Sequence, residues 1–385
     1  MRIAQIAPLY ESVPPRLYGG TERVVHHLTE SLIDLGHDVT LFASGDSRTS
    51  ARLVPARDHA LRLDSELSWD LPAHLAMLEE VREQADRFDV LHFHTDCLHM
   101  PLFRDMAHRT ITTLHGRQDI KDVPPFLARF RQFPLVSISN DQRRPVAFAN
   151  FIDTVYHGLP EDLYRFQPNP EGNYLAFLGR IAPEKGPDRA IEIARRAGLR
   201  LKIAAKVDRA DEAYFRERIE PLLNDPLVEF VGEISDADKS DFLGNALALV
   251  FPIDWPEPFG LVMIEAMACG TPVIASPRGS VPEIVEHGVT GLIARDIEEA
   301  AMAVREVGQL DRHRIREVFE ARFSARAMAR SYLRLYEQIV AADERQVATV
   351  KLPRAASIGV HSNGSSPIIV PDSVPERQEP TGPLF

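Results

Sequence analysis

Short apolar runs alternate with longer segments whose apolar residues recur at helical spacing, up to about residue 340. The runs at 3–7, 38–43, 89–94, 109–114, 135–138 and 154–156 predict the strands of a first sheet. Between the first two, Val24, Val25, Leu28, Leu32 and Leu35 share one face of a predicted helix over 20–35, and Gly36 supplies its stop. That makes a βαβ unit. After Gly158 the text becomes LPEDLYRFQPNPEGN, with three prolines in fifteen residues, and reads as a linker. A second alternating series predicts strands at 174–178, 201–205, 228–231, 247–251, 272–275 and 291–293. A closing helix over 324–340 is predicted from Met328, Tyr332, Leu335, Tyr336 and Ile339, which lie near one face. From 345 the periodicity stops and six of the last 41 residues are proline, so 345–385 reads as a disordered tail, with PIIVP at 367–371 a passive apolar run. The expected fold class is α/β, with two doubly wound Rossmann-like domains.

Composition narrows the function. At 44% hydrophobic and 26% charged residues the 385-residue chain has the balance of a soluble globular protein. Its 44 basic and 56 acidic residues leave a net charge of -12, which disfavours nucleic acid as a partner. Cys97 and Cys269 are too few for a disulfide framework or a four-cysteine zinc site, which fits a reducing compartment. Gln5 and Pro8 interrupt any signal-peptide core, and no apolar stretch reaches the roughly 18 residues of a membrane span, so a cytoplasmic location is expected.

Two segments carry candidate chemistry. In FLGRIAPEKG (177–186) an apolar strand ends at Leu178, Gly179 allows a turn, and Arg180 and Lys185 sit before a helix expected near Pro187. Loops at the carboxyl ends of parallel strands line the ligand crevice, so these two cations suit a diphosphate; the alternative is a pair of solvated charges. In PEPFGLVMIEAMACGTPVIA (256–275), Pro258 suits a first helical turn, Leu261, Ile264 and Ala268 form a buried face, and Gly270 with Pro272 ends the helix. Glu257 then stands at the helix mouth and Glu265 within it. Eight residues of helix separate them by roughly 12 Å along the axis, beyond the about 5–9.5 Å of a glycosidase carboxyl pair. The pair therefore suits two parts of one long polar ligand, the alternative being a dipole-complementing residue and a solvated one.

Taken together, GRIAPEKG, EPFGLVMIEAMACGTPVIA and GSVPEIVEHGVTGLI resemble the carboxyl-terminal domain of the family-four retaining glycosyltransferases, whose Glu-x7-Glu pattern falls on Glu257 and Glu265. The amino-terminal half agrees: APLYESVPPRLYGGTERVVHHL resembles the glycine-glycine donor loop and its helix, and DVLHFH and TLHG resemble later strands. The resemblance spans about residues 1–340 and implies the GT-B fold, two Rossmann-like domains facing a cleft: 1–165 on the acceptor side, 170–323 binding the nucleotide sugar, and a helix over 324–344 returning to the first domain. It implies that Arg180 and Lys185 bind the donor diphosphate, Glu265 the ribose and Glu257 the transferred sugar, with Phe259, Gly260 and Leu261 beside the donor. Gly19 and Gly20 would let the backbone approach the phosphates or sugar, with Thr21 near the helix start, and His115 of TLHG would face the transferred sugar.

The implied reaction moves a hexose from a UDP- or GDP-sugar to an acceptor hydroxyl with retention, needing no cofactor and no metal. A sugar-nucleotide epimerase of the same architecture and a non-catalytic nucleotide-sugar-binding regulator are the competing readings. His92 is expected to be structural, His94 a weak candidate, and a metal cluster at Asp96 and His99 is not expected. Asp236 and Asp238 follow Ser235 at a predicted helix start and read as structural. The chain departs from the family at His157-Gly158, where Asn-Gly is frequent, at Gly279-Ser280, where Gly-Gly is frequent, and at Ala205, where glycine is common. The acceptor, a carbohydrate, small molecule or lipid, is not specified. Residues 117–144 hold six basic and three acidic residues, including FLARFRQF, and read as a solvated surface, with weak peripheral membrane contact as the alternative.

Overall fold

The computed structural model describes residues 1–16, 19–64 and 69–351, with side chains as far as residue 343. Seven strands form a first sheet: β1 (Arg2–Ile6), β2 (Asp38–Ser44), β3 (Arg52–Arg57), β4 (Val90–Phe93), β5 (Thr110–Thr113), β6 (Leu135–Ser137) and β7 (Phe151–Thr154). Six form a second: β8 (Tyr174–Arg180), β9 (Arg200–Lys206), β10 (Val228–Gly232), β11 (Ala248–Phe251), β12 (Val273–Ala275) and β13 (Gly291–Ile293). Every pairing is parallel, in the orders β3-β2-β1-β4-β5-β6-β7 and β10-β9-β8-β11-β12-β13. Helices cover both faces, which is why the central strands read as continuous apolar runs. These are two parallel-sheet α/β domains. In each, strand order reverses between the first and fourth strands, β1 beside β4 and β8 beside β11. A reversal of this kind leaves a crevice beyond the carboxyl ends of the strands.

Two strands depart from expectation. β3 was not foreseen because Pro55 interrupts its pattern; it lies at the sheet edge, where a missing N–H costs no ladder bond. β7 lies three residues before the expected 154–156, since this opposite edge strand is only half buried and carries little apolar signal.

Helix α1 (Gly20–Asp34) buries Val24, Val25, Leu28 and Leu32. Of the other helices, α2 (Pro187–Ala197) follows the first strand of the second sheet, α3 (Asp236–Gly244) follows β10, and α4 (Leu261–Ala268) follows β11. The last, α5 (Ala325–Lys351), packs Met328, Ala329, Tyr332, Leu335, Tyr336 and Ile339 against Ile3, Val24, Leu28, Val90 and Ile111 of the first domain. Its entry is pinned by Leu159, whose N–H donates to the Phe323 carbonyl at 2.9 Å and whose carbonyl accepts from Ala325 N–H at 2.8 Å. The chain thus leaves and re-enters the first domain side by side. Helix α5 continues past the expected boundary at 344, to Lys351. No proline or glycine occurs between 325 and 351, and Pro353 is the first residue that opposes helix. Residues 352–385, with the apolar run at 367–371, lie outside the described residues.

Among the described residues no helix is long and apolar enough to cross a membrane. In the basic run, Leu127, Phe130 and Phe133 are buried in the first-domain core. Leu335→Ala, which empties the contact between α5 and the first sheet, should cost about 2–5 kcal/mol in chemical denaturation; a loss below about 1 kcal/mol would show that this packing does not hold the helix.

Candidate active site

The crevices of the two sheets open into one cleft of about 1140 Å³. Gly19, Gly20, Thr21, His115, Arg180, Lys185, Glu257, Phe259, Gly260, Leu261 and Glu265 all line it. Local sequence explains how several reach it. Arg180 is the last residue of β8 rather than part of the following loop, and Gly186 turns left-handed (φ 70) before Pro187 opens α2. Glu257 does not stand in a helical turn. Gly260, also left-handed (φ 80), breaks the chain before α4 begins at Leu261, so the axial spacing calculated for one continuous helix does not apply. The segment bearing Glu257 is held from behind by the loop at 279–280. Gly279 has φ +56, and a Cβ there would lie 2.3 Å from Glu257 N. Ser280 N–H donates to the Glu257 carbonyl at 3.0 Å and its hydroxyl to the Phe259 carbonyl at 2.7 Å. The serine in place of a second glycine thus ties this loop down.

Glu265 is 2% exposed. Its Oε1 accepts from Lys239 Nζ at 2.9 Å and from the Tyr164 hydroxyl at 3.2 Å, while its buried Oε2 has no partner among the described residues. A buried carboxylate requires such company. Lys239 also lies 3.1 Å from Asp236, and Asp236 ion-pairs Arg23 of α1, across the cleft. Burial alone would raise the Asp236 carboxyl, but Lys239 and Arg23 outweigh it and hold it below the usual range. Burial likewise works against the Lys239 ammonium, yet Glu265 and Asp236 hold it above its ordinary value.

Asp236 is therefore more than the helix-start residue expected of it; Asp238 does the capping, accepting from Ser235. Arg23, Tyr164 and Lys239 were not foreseen. Arg23 follows the glycine-glycine loop directly, and Tyr164, 1% exposed, was hidden in a segment that reads as linker.

Arg180 and Lys185 are paired with carboxylates rather than simply solvated. Lys185 Nζ lies 2.5 Å from Glu257 Oε2 and 4.4 Å from the Trp255 ring centroid, and Trp255 Nε1 donates to the same carboxylate oxygen at 2.8 Å. Arg180 faces Glu184 and Asp211 at 3.1 Å and Asp208 at 3.5 Å. Sequence reading missed these acids because Asp208 and Asp211 come from the loop after β9.

On the first-domain wall, His115 Nε2 meets His94 Nδ1 at 2.9 Å, and its ring stacks on His157 with centroids 5.2 Å apart. His94 is thus part of the site, and His157, noted only as a departure, joins it. His92 bonds Thr113 and Tyr336 inside the core. His99 donates to or accepts from Thr112 at 3.0 Å and stacks on Phe93, which gives it a packing role.

Comparison with known proteins identifies the family. The family model described as Glycosyltransferase Family 4 matches residues 18–152, and that described as Glycosyl transferases group 1 matches residues 161–319. The chain belongs to the group 1/family 4 glycosyltransferases. A similar relative is the glycogen synthase of Mycobacterium tuberculosis, 26% identical over 400 residues that cover 86% of this chain and 94% of the relative. Sucrose-phosphate synthase from Thermosynechococcus elongatus superposes with a TM-score of 0.71 at 20% identity, covering 89% of this chain and 99% of that one. HepE of Anabaena, solved with UDP and glucose, gives 0.67 at 17% identity, covering 87% and 99%. The glycosyltransferase has the GT-B fold.

Burial gives this cleft a pH signature. It pushes His115 down to about 3 and His92, His94 and His157 well below the ordinary histidine value of 6.5. Below that value the unfolded chain takes up protons that the folded rings refuse, so stability is complete above about pH 6.5 and is lost as pH falls toward the folded values, by about 1.4 kcal/mol per unit for each ring. Denaturant unfolding from pH 7.5 to 4.5 should show this loss, and His157→Phe should reduce the slope by about one proton; an unchanged slope would show that His157 titrates normally when folded.

Proposed function

We propose that this glycosyltransferase moves a hexose from a UDP- or GDP-sugar to an acceptor hydroxyl with retention of configuration and without a resident metal ion. The observation that carries this reading is Glu265, a residue of the cleft lining whose buried Oε2 has no partner among the described residues. An acceptor-only oxygen fixed in this way suits a ribose diol. The UDP bound by HepE lends support from a protein of the same fold.

From that anchor the diphosphate runs toward Lys185. As it binds, Nζ exchanges Glu257 for phosphate oxygens, and Glu257 is released to accept from hydroxyls of the transferred sugar. The anomeric carbon–oxygen bond to phosphate breaks, the acceptor oxygen bonds to the same carbon, and the acceptor proton passes to the leaving diphosphate. Burial pushes the His115 imidazole down to about 3, which keeps the ring uncharged near neutral pH. Of the two cations, Lys185 does more to stabilise the leaving group, because three carboxylates offset the charge of Arg180. The Asp236-Ala237-Asp238 string is no metal clasp, since Asp236 is committed to Arg23 and Lys239 and Asp238 to Ser235.

Mass spectrometry of the protein with a panel of nucleotide sugars should show one donor slowly hydrolysed to nucleotide diphosphate and free sugar, before and after exhaustive chelation. Interconversion of the sugar without nucleotide release would mark an epimerase instead, and activity restored only by manganese or magnesium would overturn the metal-independent reading. Lys185→Ala should lower turnover by roughly 100- to 1000-fold and Arg180→Ala by less; the reverse order would reassign the leaving-group contact. Glu265→Gln should weaken free nucleotide diphosphate in calorimetry while Glu257→Gln spares it, and equal losses would contradict the division of roles.

A further inference from the structure

A continuous set of hydrogen bonds joins the cleft to α5. His115 Nε2 lies 2.9 Å from His94 Nδ1, His94 Nε2 lies 2.8 Å from Gln5 Oε1, and Gln5 Nε2 donates to the Tyr336 hydroxyl at 3.1 Å. Beyond it the Tyr336 hydroxyl is 2.7 Å from His92 Nδ1, His92 Nε2 is 2.8 Å from Thr113 Oγ1, and that oxygen is 2.8 Å from the Tyr332 hydroxyl. Gln5, His92, Thr113 and Tyr336 have no exposed surface, and His94 has 2%. Each group must therefore find its partner within the set.

The donors can be assigned from one end. A neutral imidazole has one donor and one acceptor nitrogen, and an amide oxygen only accepts. His94 must carry its proton on Nε2 to meet Gln5 Oε1, so its Nδ1 is an acceptor. That Nδ1 is met by His115 Nε2, which must therefore hold the His115 proton. His115 Nδ1 is left with a lone pair; it is buried with no hydrogen-bond partner among the described residues, and its ring lines the cleft.

We propose that Gln5, held by Tyr336, is a positioning residue that sets the tautomer of His115, so that the cleft is offered a hydrogen-bond acceptor at Nδ1. The group it selects is a hydroxyl that donates. Turning the Gln5 amide over would reverse every link as far as His115 and present an N–H at the same place. Tyr336 opposes the turn, because its hydroxyl would then have to donate to Gln5 and give up donating to His92, whose proton would have to change nitrogens in turn. Such linked bonds reverse together or not at all. That the donating hydroxyl belongs to the transferred sugar rests on the donor placement proposed above; the tautomer does not.

Long-range proton–nitrogen NMR correlation on the full-length ligand-free protein reads the tautomer directly. We expect His115 and His94 both protonated at Nε2. Tyr336→Phe keeps the ring packing and removes only the hydroxyl, so it should mix or reverse the tautomers of both rings, as should Gln5→Leu if that variant folds. In Tyr336→Phe, affinity for the nucleotide sugar should fall about tenfold, the scale of one hydrogen bond, while that for free nucleotide diphosphate stays within about twofold. A wild-type proton on His115 Nδ1, or an unchanged tautomer in Tyr336→Phe, would overturn the proposal. A shifted tautomer with unchanged sugar affinity would uphold it and overturn the placement of the sugar at His115.

Discussion

A carboxylate removed from water must be neutralised, and in this chain the demand made by Glu265 organises the cleft. It draws in Lys239 from α3 and Tyr164 from the segment between the sheets; those two engage Asp236, and Asp236 reaches Arg23 on the first-domain helix. The sequence of contacts runs from the second-domain side of the cleft to the first-domain helix. Removing one member of a buried ionic group leaves the others unpaired, which costs more than the contact itself contributes. The charges around Glu265 therefore also join the two domains across the cleft.

A second junction lies near the domain crossover. Glu283 accepts from the backbone N–H groups of Asn140 and Asp141 at 2.8 Å and from the Tyr156 hydroxyl at 3.1 Å. Together with the parallel passages around Leu159 and α5, it ties the second domain to the first near the crossover. Reaction chemistry then needs only small side-chain exchanges. Lys185 and Glu257 already satisfy each other, so neither charge stands unpaired in the cleft.

The polar set behind His115 shows the same economy in neutral form. Three histidines in or beside the first-domain core would be costly as cations, and burial keeps them uncharged. Neutral rings can be placed by hydrogen bonds alone. The residues that direct them lie on β1 and α5, so a helix late in the chain helps shape a site formed largely by loops near its start.

The sequence by itself determined the alternation of strands and helices, the two-sheet architecture and the family motifs, because these depend on local spacing: period-two and period-3.6 patterns, and glycines at turns. It carried Arg180, Lys185, Glu257, Glu265 and His115 as candidates for the same reason. β3 escaped because edge strands tolerate proline. Arg23, Tyr164, Lys239, Asp208 and His157 escaped because each gains its partner across at least one element, and no spacing rule marks such pairs. Only the tertiary structure decided that Glu257 stands outside the helix, that Lys185 is paired with it, and that Gln5, five residues from the start, meets Tyr336. Local patterns follow from bonds between near neighbours in the chain. Charge pairing and proton placement follow from which surfaces the folded sheets bring together.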